Sequence, residues 1–214
     1  MSLLRPSRVG KKGKETCRKN FLLSREGCIF AHSMLHLLHL LFHPAEALER
    51  FRHRRGFGIH SPFAYGLVRE VIFERGMYYA YEGTGRSDAD GRLLFRLANF
   101  QQPAVCFLAG EEPSGAQERW LRKGCGHSIY LYTPPQEGAD LIFAAKGWEE
   151  HVDELHETLA VEGLLVVDDI RSSKARRAAW TRLRALPKAQ VCFDLKAFGL
   201  VFFKPGLQRQ VYLV

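Results

Sequence analysis

Residues 163–203 read GLLVVDDIRSSKARRAAWTRLRALPKAQVCFDLKAFGLVFF, and this run decides the fold. Leu164 to Val167 is a continuous apolar strand of the kind that a parallel sheet covers on both faces. It ends in Asp168 and Asp169, at the strand edge where open α/β sheets bind ligands. A basic helix over Lys174 to Leu186 follows. VCFDL (191–195) and GLVFF (199–203), separated only by Lys196, Ala197 and Phe198, then predict an antiparallel hairpin.

The same alternation extends upstream: AVCFLAG (104–110), a helix near Ala116 to Lys123, SIYLY (128–132), ADLIFAA (139–145) and a helix near Trp148 to Leu159. Repeated strand–helix units imply a parallel sheet with helical crossovers. Before them, Leu93 to Phe100 has the pattern of a short helix. Ser61 followed by Pro62 is a helix start, the hydroxyl capping free amides and the proline preset for the first turn. Phe63, Leu67, Val68, Val71 and Ile72 form its apolar stripe. His60 beside Ser61 has no third group to make a nucleophile, so capping is the role expected of the serine.

The net charge of +8 lies wholly in residues 1–55, which hold 12 Lys/Arg against 4 Asp/Glu, while residues 56–214 hold 19 of each. The body of the chain is neutral. Weak electrostatic contacts are expected through residues 1–55, without specific nucleic-acid recognition. Residues 1–33 read as a disordered or non-native basic extension, with Met34 an alternative start. Residues 34–82 read as a helical region and 83–214 as the α/β domain. CIFAHSMLHLLHLLF (28–42) is too short to span a bilayer and too interrupted for an export signal. His36, His39 and His43 share a helical face without a further ligand to complete a metal site. Five cysteines in no paired spacing indicate neither disulfides nor zinc, with Cys106 and Cys192 expected in the core, and a cytoplasmic location is expected.

GIHSPFAYGLV near the start, with LLVVDDI, SSK, a tryptophan-containing helix, FDL and GLVFF at the end, resembles class I S-adenosylmethionine-dependent methyltransferase-like proteins of a Bacteroidetes-type group. The resemblance covers about residues 34–214. It implies a shortened Rossmann-like sheet, mostly parallel, with a closing antiparallel hairpin. It also implies a cofactor cradle after the first strand, which falls on Gly110, Glu111, Ser114 and Gly115, and a catalytic role for Asp168 and Asp169 as acid, base or ion holder.

Several expected parts depart from that pattern. The glycine spacing of FLAGEEPSGA is degraded. Thr133 and Pro134 stand where an acid would hold the ribose hydroxyls, with Glu137 beyond the prolines. Only about seven residues separate SIYLY from ADLIF, where the family places another helix and strand. Ala144, Ala145 and Lys146 occupy the place of the first carboxylate of a cation-dependent O-methyltransferase, so no metal is expected. Of the acid pair, one member is expected to cap the next helix or to pair with Arg171 or Lys174. The arginines of that helix, Arg176, Arg177, Arg182 and Arg184, are expected on a solvated face. The chain thus reads as a divergent methyltransferase-family protein with an unknown acceptor. The alternatives are an inactive binding or scaffold protein, or an anionic-surface or nucleic-acid binder acting through the basic N-terminus.

Overall fold

The computed structural model describes residues 44–82, 88–110 and 115–214. Leu48–Val214 makes up one unit, and Met1–Ala47 is set apart as another, of which only residues 44–47 are described. The expected extension, the apolar stretch 28–42 and the histidines His36, His39 and His43 therefore lie outside the described residues. No helix among the described residues is long and apolar enough to cross a membrane.

Seven strands make one sheet: β1 Val105–Ala109, β2 Ile129–Leu131, β3 Ala139–Ala144, β4 Leu159–Asp168, β5 Val191–Asp194, β6 Phe198–Phe202 and β7 Gln210–Leu213. Their order is β2-β1-β3-β4-β6-β5-β7. All neighbours are parallel except at β6, which runs antiparallel to both β4 and β5. The α/β class, the mostly parallel sheet and the closing hairpin are as the sequence predicts, and the architecture is compatible with a Rossmann-like fold.

Alternation along the strands sorts side chains into two cores, since successive residues of a strand point to opposite faces. Leu164 and Val166 of β4 join Cys106, Leu108, Leu141 and Phe143 on one face. There they pack under Leu67, Leu94, Leu97 and Leu121, from α2 (Pro62–Leu67), α3 (Ala89–Gln101) and α4 (Gly115–Gly124). Leu165 and Val167 join Phe107, Ile142 and Ala144 on the other face, under Trp148, Leu155, Trp180 and Leu183. That layer is the turn at Trp148–Glu150 with α5 (Val152–Glu157) and α6 (Lys174–Ala185), while Arg50 and His53 of α1 (Pro44–Arg54) reach the carbonyls at the ends of β5 and β7.

Local details follow the chemistry of the ends. The Ser61 hydroxyl accepts from the Ala64 amide at 3.3 Å, as expected of a cap. Helix α2 then widens into a π-turn over Val68–Ile72, and Arg96 donates to the Val71 and Ile72 carbonyls freed at its end. Cys106 and Cys192 are buried, and burial pushes both thiols up to about 12, which keeps them inert core groups.

Three features differ from the sequence reading. The helix expected over Trp148 to Leu159 is a single turn at Trp148–Glu150 followed by α5, because β4 already begins at Leu159. Strand β7 is added in parallel beside β5, where QVYL is too short and too flanked by polar residues to declare itself. The β2–β3 connection is possible at seven residues because β2 stops early. Leu131 aligns with Phe107, two residues short of the Ala109–Ala144 pair that ends β1 and β3. Seven extended residues reach about 23 Å, enough to cross β1 and return without a helix.

Gly199 on β6 is required by packing. A Cβ there would lie 2.6 Å from the Trp180 ring and 2.8 Å from Val167. Gly199→Ala is expected to destabilise the protein by about 1–3 kcal/mol in chemical denaturation. Trp180→Leu in the same chain should cost less than it does alone, since each change makes room for the other.

Candidate functional site

The C-terminal edge of the sheet carries the ends of β1, β3, β4 and β5, and a cavity of about 460 Å³ opens there. Asp168 and Asp169 line it together with Asp88 and Asp90 at the start of α3 and Gln117 and Trp120 on α4. Its volume lies in the ordinary range for small-molecule sites.

The acid pair is divided between the two faces of the sheet. Asp168 ends β4 in the row of Leu164 and Val166 and points to the α4 side, where the Gln117 amide donates to its carboxylate at 3.1 Å. Burial is the main influence on Asp168 and raises its carboxyl above the ordinary carboxylate range, the Gln117 hydrogen bond opposing it and the Asp169 charge adding to it. Its carbonyl accepts from the Trp148 indole at 2.8 Å, which fixes the end of β4 from the opposite face.

Asp169 turns away with a left-handed backbone (φ 51°) and forms an ion pair with Arg176 at 3.0 Å. Asp169 therefore pairs with neither Arg171 nor Lys174. Ser173 caps α6 instead, accepting from the Arg176 amide at 3.0 Å. Arg176 is buried rather than solvated and also holds Glu149, so one arginine ties the end of β4 to the turn before α5. Arg171 belongs to a different cluster, donating to Asp194 at 3.0 Å.

Asp194, at the end of β5 on the same edge, is the charged residue that sequence reading missed. It sits inside the VCFDL run, where alternation marks it only as a strand residue. Its side chain is 5% exposed, held by Arg50 at 2.8 Å and by Arg171, with the Lys196 amide completing the shell. Arg50 had no signal either, because it lies in a basic stretch that reads as solvated.

The expected cofactor cradle is only partly within view, since Glu111 and Ser114 lie outside the described residues. Gly115 opens α4 with open space around its Cβ position. Gly110 has a positive φ of 101°, and a Cβ there would stand 2.7 Å from the Lys146 carbonyl. Its missing side chain is thus used up by the backbone after β3. The cavity beside it, lined by Phe107, Pro134 and Trp148, has about 110 Å³, too little for an adenosyl group. Thr133 and Pro134 bring no carboxylate there. Of the expected cradle, the described residues thus show Gly110 and Gly115 alone. The four aspartates around the larger cavity do not converge: no three His, Cys, Asp or Glu side chains among the described residues are grouped to hold a metal ion.

Comparison with known proteins finds no matching family model and no matching curated protein.

Proposed function

We propose that this chain is a divergent methyltransferase-like α/β protein whose strand-edge cavity binds a small cationic ligand and does not carry out methyl transfer. The observation that carries this reading is the lining of that cavity, which among the described residues holds Asp88, Asp90 and Asp168 and no basic side chain, Asp169 being paired with Arg176. A ligand bearing an ammonium or sulfonium group finds its counter-charge there, with Asp168 oriented by Gln117. The filled space at Gly110 and the small cavity beside it argue against a bound adenosyl group, and hence against transfer from it.

A methyltransferase acting on an unidentified acceptor is the second reading. It is favoured by the carboxyl that burial raises at the end of the fourth strand, a group placed at the ligand edge where a proton could be exchanged. Calorimetry with spermidine, S-adenosylmethionine and S-adenosylhomocysteine separates the two. Cationic-ligand binding is expected to weaken at least tenfold in Asp168→Asn. Equal micromolar affinity for S-adenosylmethionine and S-adenosylhomocysteine would instead establish the methyltransferase reading. Absence of binding by all three would end both.

The pH dependence has a definite sign. Because the Asp168 carboxyl is raised, the folded chain holds a proton that the unfolded chain has released. Stability therefore falls as pH rises from the ordinary carboxylate value of about 3.9 through the raised one, while affinity for a cation rises over the same window. Asp168→Asn is expected to abolish the affinity change and to leave stability at neutral pH equal to or above that of the parent, read from denaturant midpoints.

A further inference from the structure

Helix α1 is inside out over its described part within the main unit. Its inward face carries Arg50 and His53, both buried; Arg50 is bound to Asp194, and the His53 ring lies 2.7 Å from the Leu213 carbonyl. Its outward face, at positions 48, 51 and 52, carries Leu48 at 59% exposure and Phe51 at 53% beside the exposed Arg52, and Arg55 is exposed in the turn that follows. Such spacing lines up one helical stripe. A helix that buries its cation and leaves its leucine and phenylalanine exposed has an apolar face without an apolar partner among the described residues.

That face borders a groove of about 530 Å³ lined by Arg54, Arg55, Arg69 and Arg75. None of these four has an ion pair among the described residues, whereas Arg50, Arg122, Arg171, Arg176 and Arg182 all do. The groove's one acid, Glu74, is engaged by the Gly76 amide. Phe57, in the turn after α1, adds a further phenyl ring at 63% exposure.

We propose that this surface docks on anionic lipid membranes, the groove arginines taking headgroup phosphates and Leu48, Phe51 and Phe57 entering the acyl boundary. Charge complementarity sets the sign of the partner, and the exposed apolar stripe sets its kind. A nucleic acid would use the groove's rings as stacking platforms. Here Arg54 lies over Phe73 at 5.1 Å and Arg55 over Phe51 at 4.8 Å, so the rings already carry cations. Guanidinium forks so placed remain free to bind phosphate, and the flanking leucine and phenylalanine match an interface that binds by charge and apolar burial together.

The test is flotation of the full chain with vesicles of phosphatidylcholine alone and of phosphatidylcholine with phosphatidylserine, alongside a single-stranded DNA oligonucleotide. Binding is expected only to the serine-containing vesicles, falling as salt rises. Arg69→Gln with Arg75→Gln should lower the partition about fivefold per arginine, roughly 25-fold together. Phe51→Ser with Leu48→Ser should lower it further while leaving the salt dependence. All these positions are exposed, and unchanged denaturation midpoints confirm that the variants fold. Equal binding to both vesicles, binding unaltered by the groove variants, or DNA binding that these variants abolish in a chain that ignores vesicles would each overturn the proposal. None of these outcomes touches the strand-edge cavity.

Discussion

Asp194→Ala is expected to destabilise the protein by about 3–5 kcal/mol, among the largest effects of any polar substitution in the chain. Its carboxylate joins three elements: Arg50 from α1 at 2.8 Å, Arg171 from the segment after β4 at 3.0 Å, and the Lys196 amide of the hairpin turn at 3.1 Å. Arg50 also donates to the Asp194 and Val214 carbonyls at 2.7 and 2.8 Å, so the pair fastens α1 to the ends of β5 and β7. With side chains 7% and 5% exposed, neither ion can turn to water when the other is removed. Truncation leaves a buried charge without its counter-charge, and that penalty dominates. Arg50→Ala should cost less than Asp194→Ala, because Arg171 still serves the carboxylate. Arg50→Met combined with Asp194→Leu should cost less than the sum of the single changes, since no charge is then orphaned.

Acid should act through the same group. Burial alone would raise the Asp194 carboxyl, but the hydrogen bonds and charges of Arg50 and Arg171 outweigh it and hold the carboxyl below the ordinary range. A depressed carboxyl contributes stability that is complete above the unfolded value of about 3.9 and is lost as pH falls through the folded one. Denaturant midpoints taken from neutral pH down to pH 3 should show this acid loss in the parent and much less of it in Asp194→Asn. The Asp168 effect has the opposite sign and lies at higher pH, so the two are separable in one titration.

The fold was legible wherever burial on both faces forced an apolar run. Leu164 to Val167, ADLIFA and the hairpin each declare themselves, because a slip in any of them would expose core side chains. Strand β7 was illegible because Gln210 to Leu213 is half exposed and its place is fixed by pairing with β5, a nonlocal fact. The site was legible as a place but not as a network. Asp168 and Asp169 mark the ligand edge from sequence, yet their partners Gln117 and Arg176 come from helices on opposite faces. Nor does a window of sequence distinguish Arg176, which is buried, from Arg177, which is exposed. Buried ion pairs such as Arg50 with Asp194, 144 residues apart, leave no periodic trace.

Trp148→Ala is the second large effect, at about 3–5 kcal/mol from lost packing. Trp148 is 1% exposed and fills the space between β3, β4 and the α5–α6 layer. Gly147, with φ 93°, turns the chain after β3 so that the indole passes beneath the sheet edge. The indole N–H also satisfies the Asp168 carbonyl, so truncation strands that acceptor at a further cost of about 1–3 kcal/mol wherever water does not enter. Trp148→Phe separates the two contributions by keeping a ring and losing the donor, and it should cost well under half as much as Trp148→Ala. The functional consequence follows from the same bond. With the end of β4 no longer fixed, Asp168 loses its placement against Gln117, and the cationic-ligand affinity of Trp148→Phe should fall although the residue lies on the face opposite α4. A Trp148→Phe chain that binds as tightly as the parent would show that Gln117 alone positions the carboxylate.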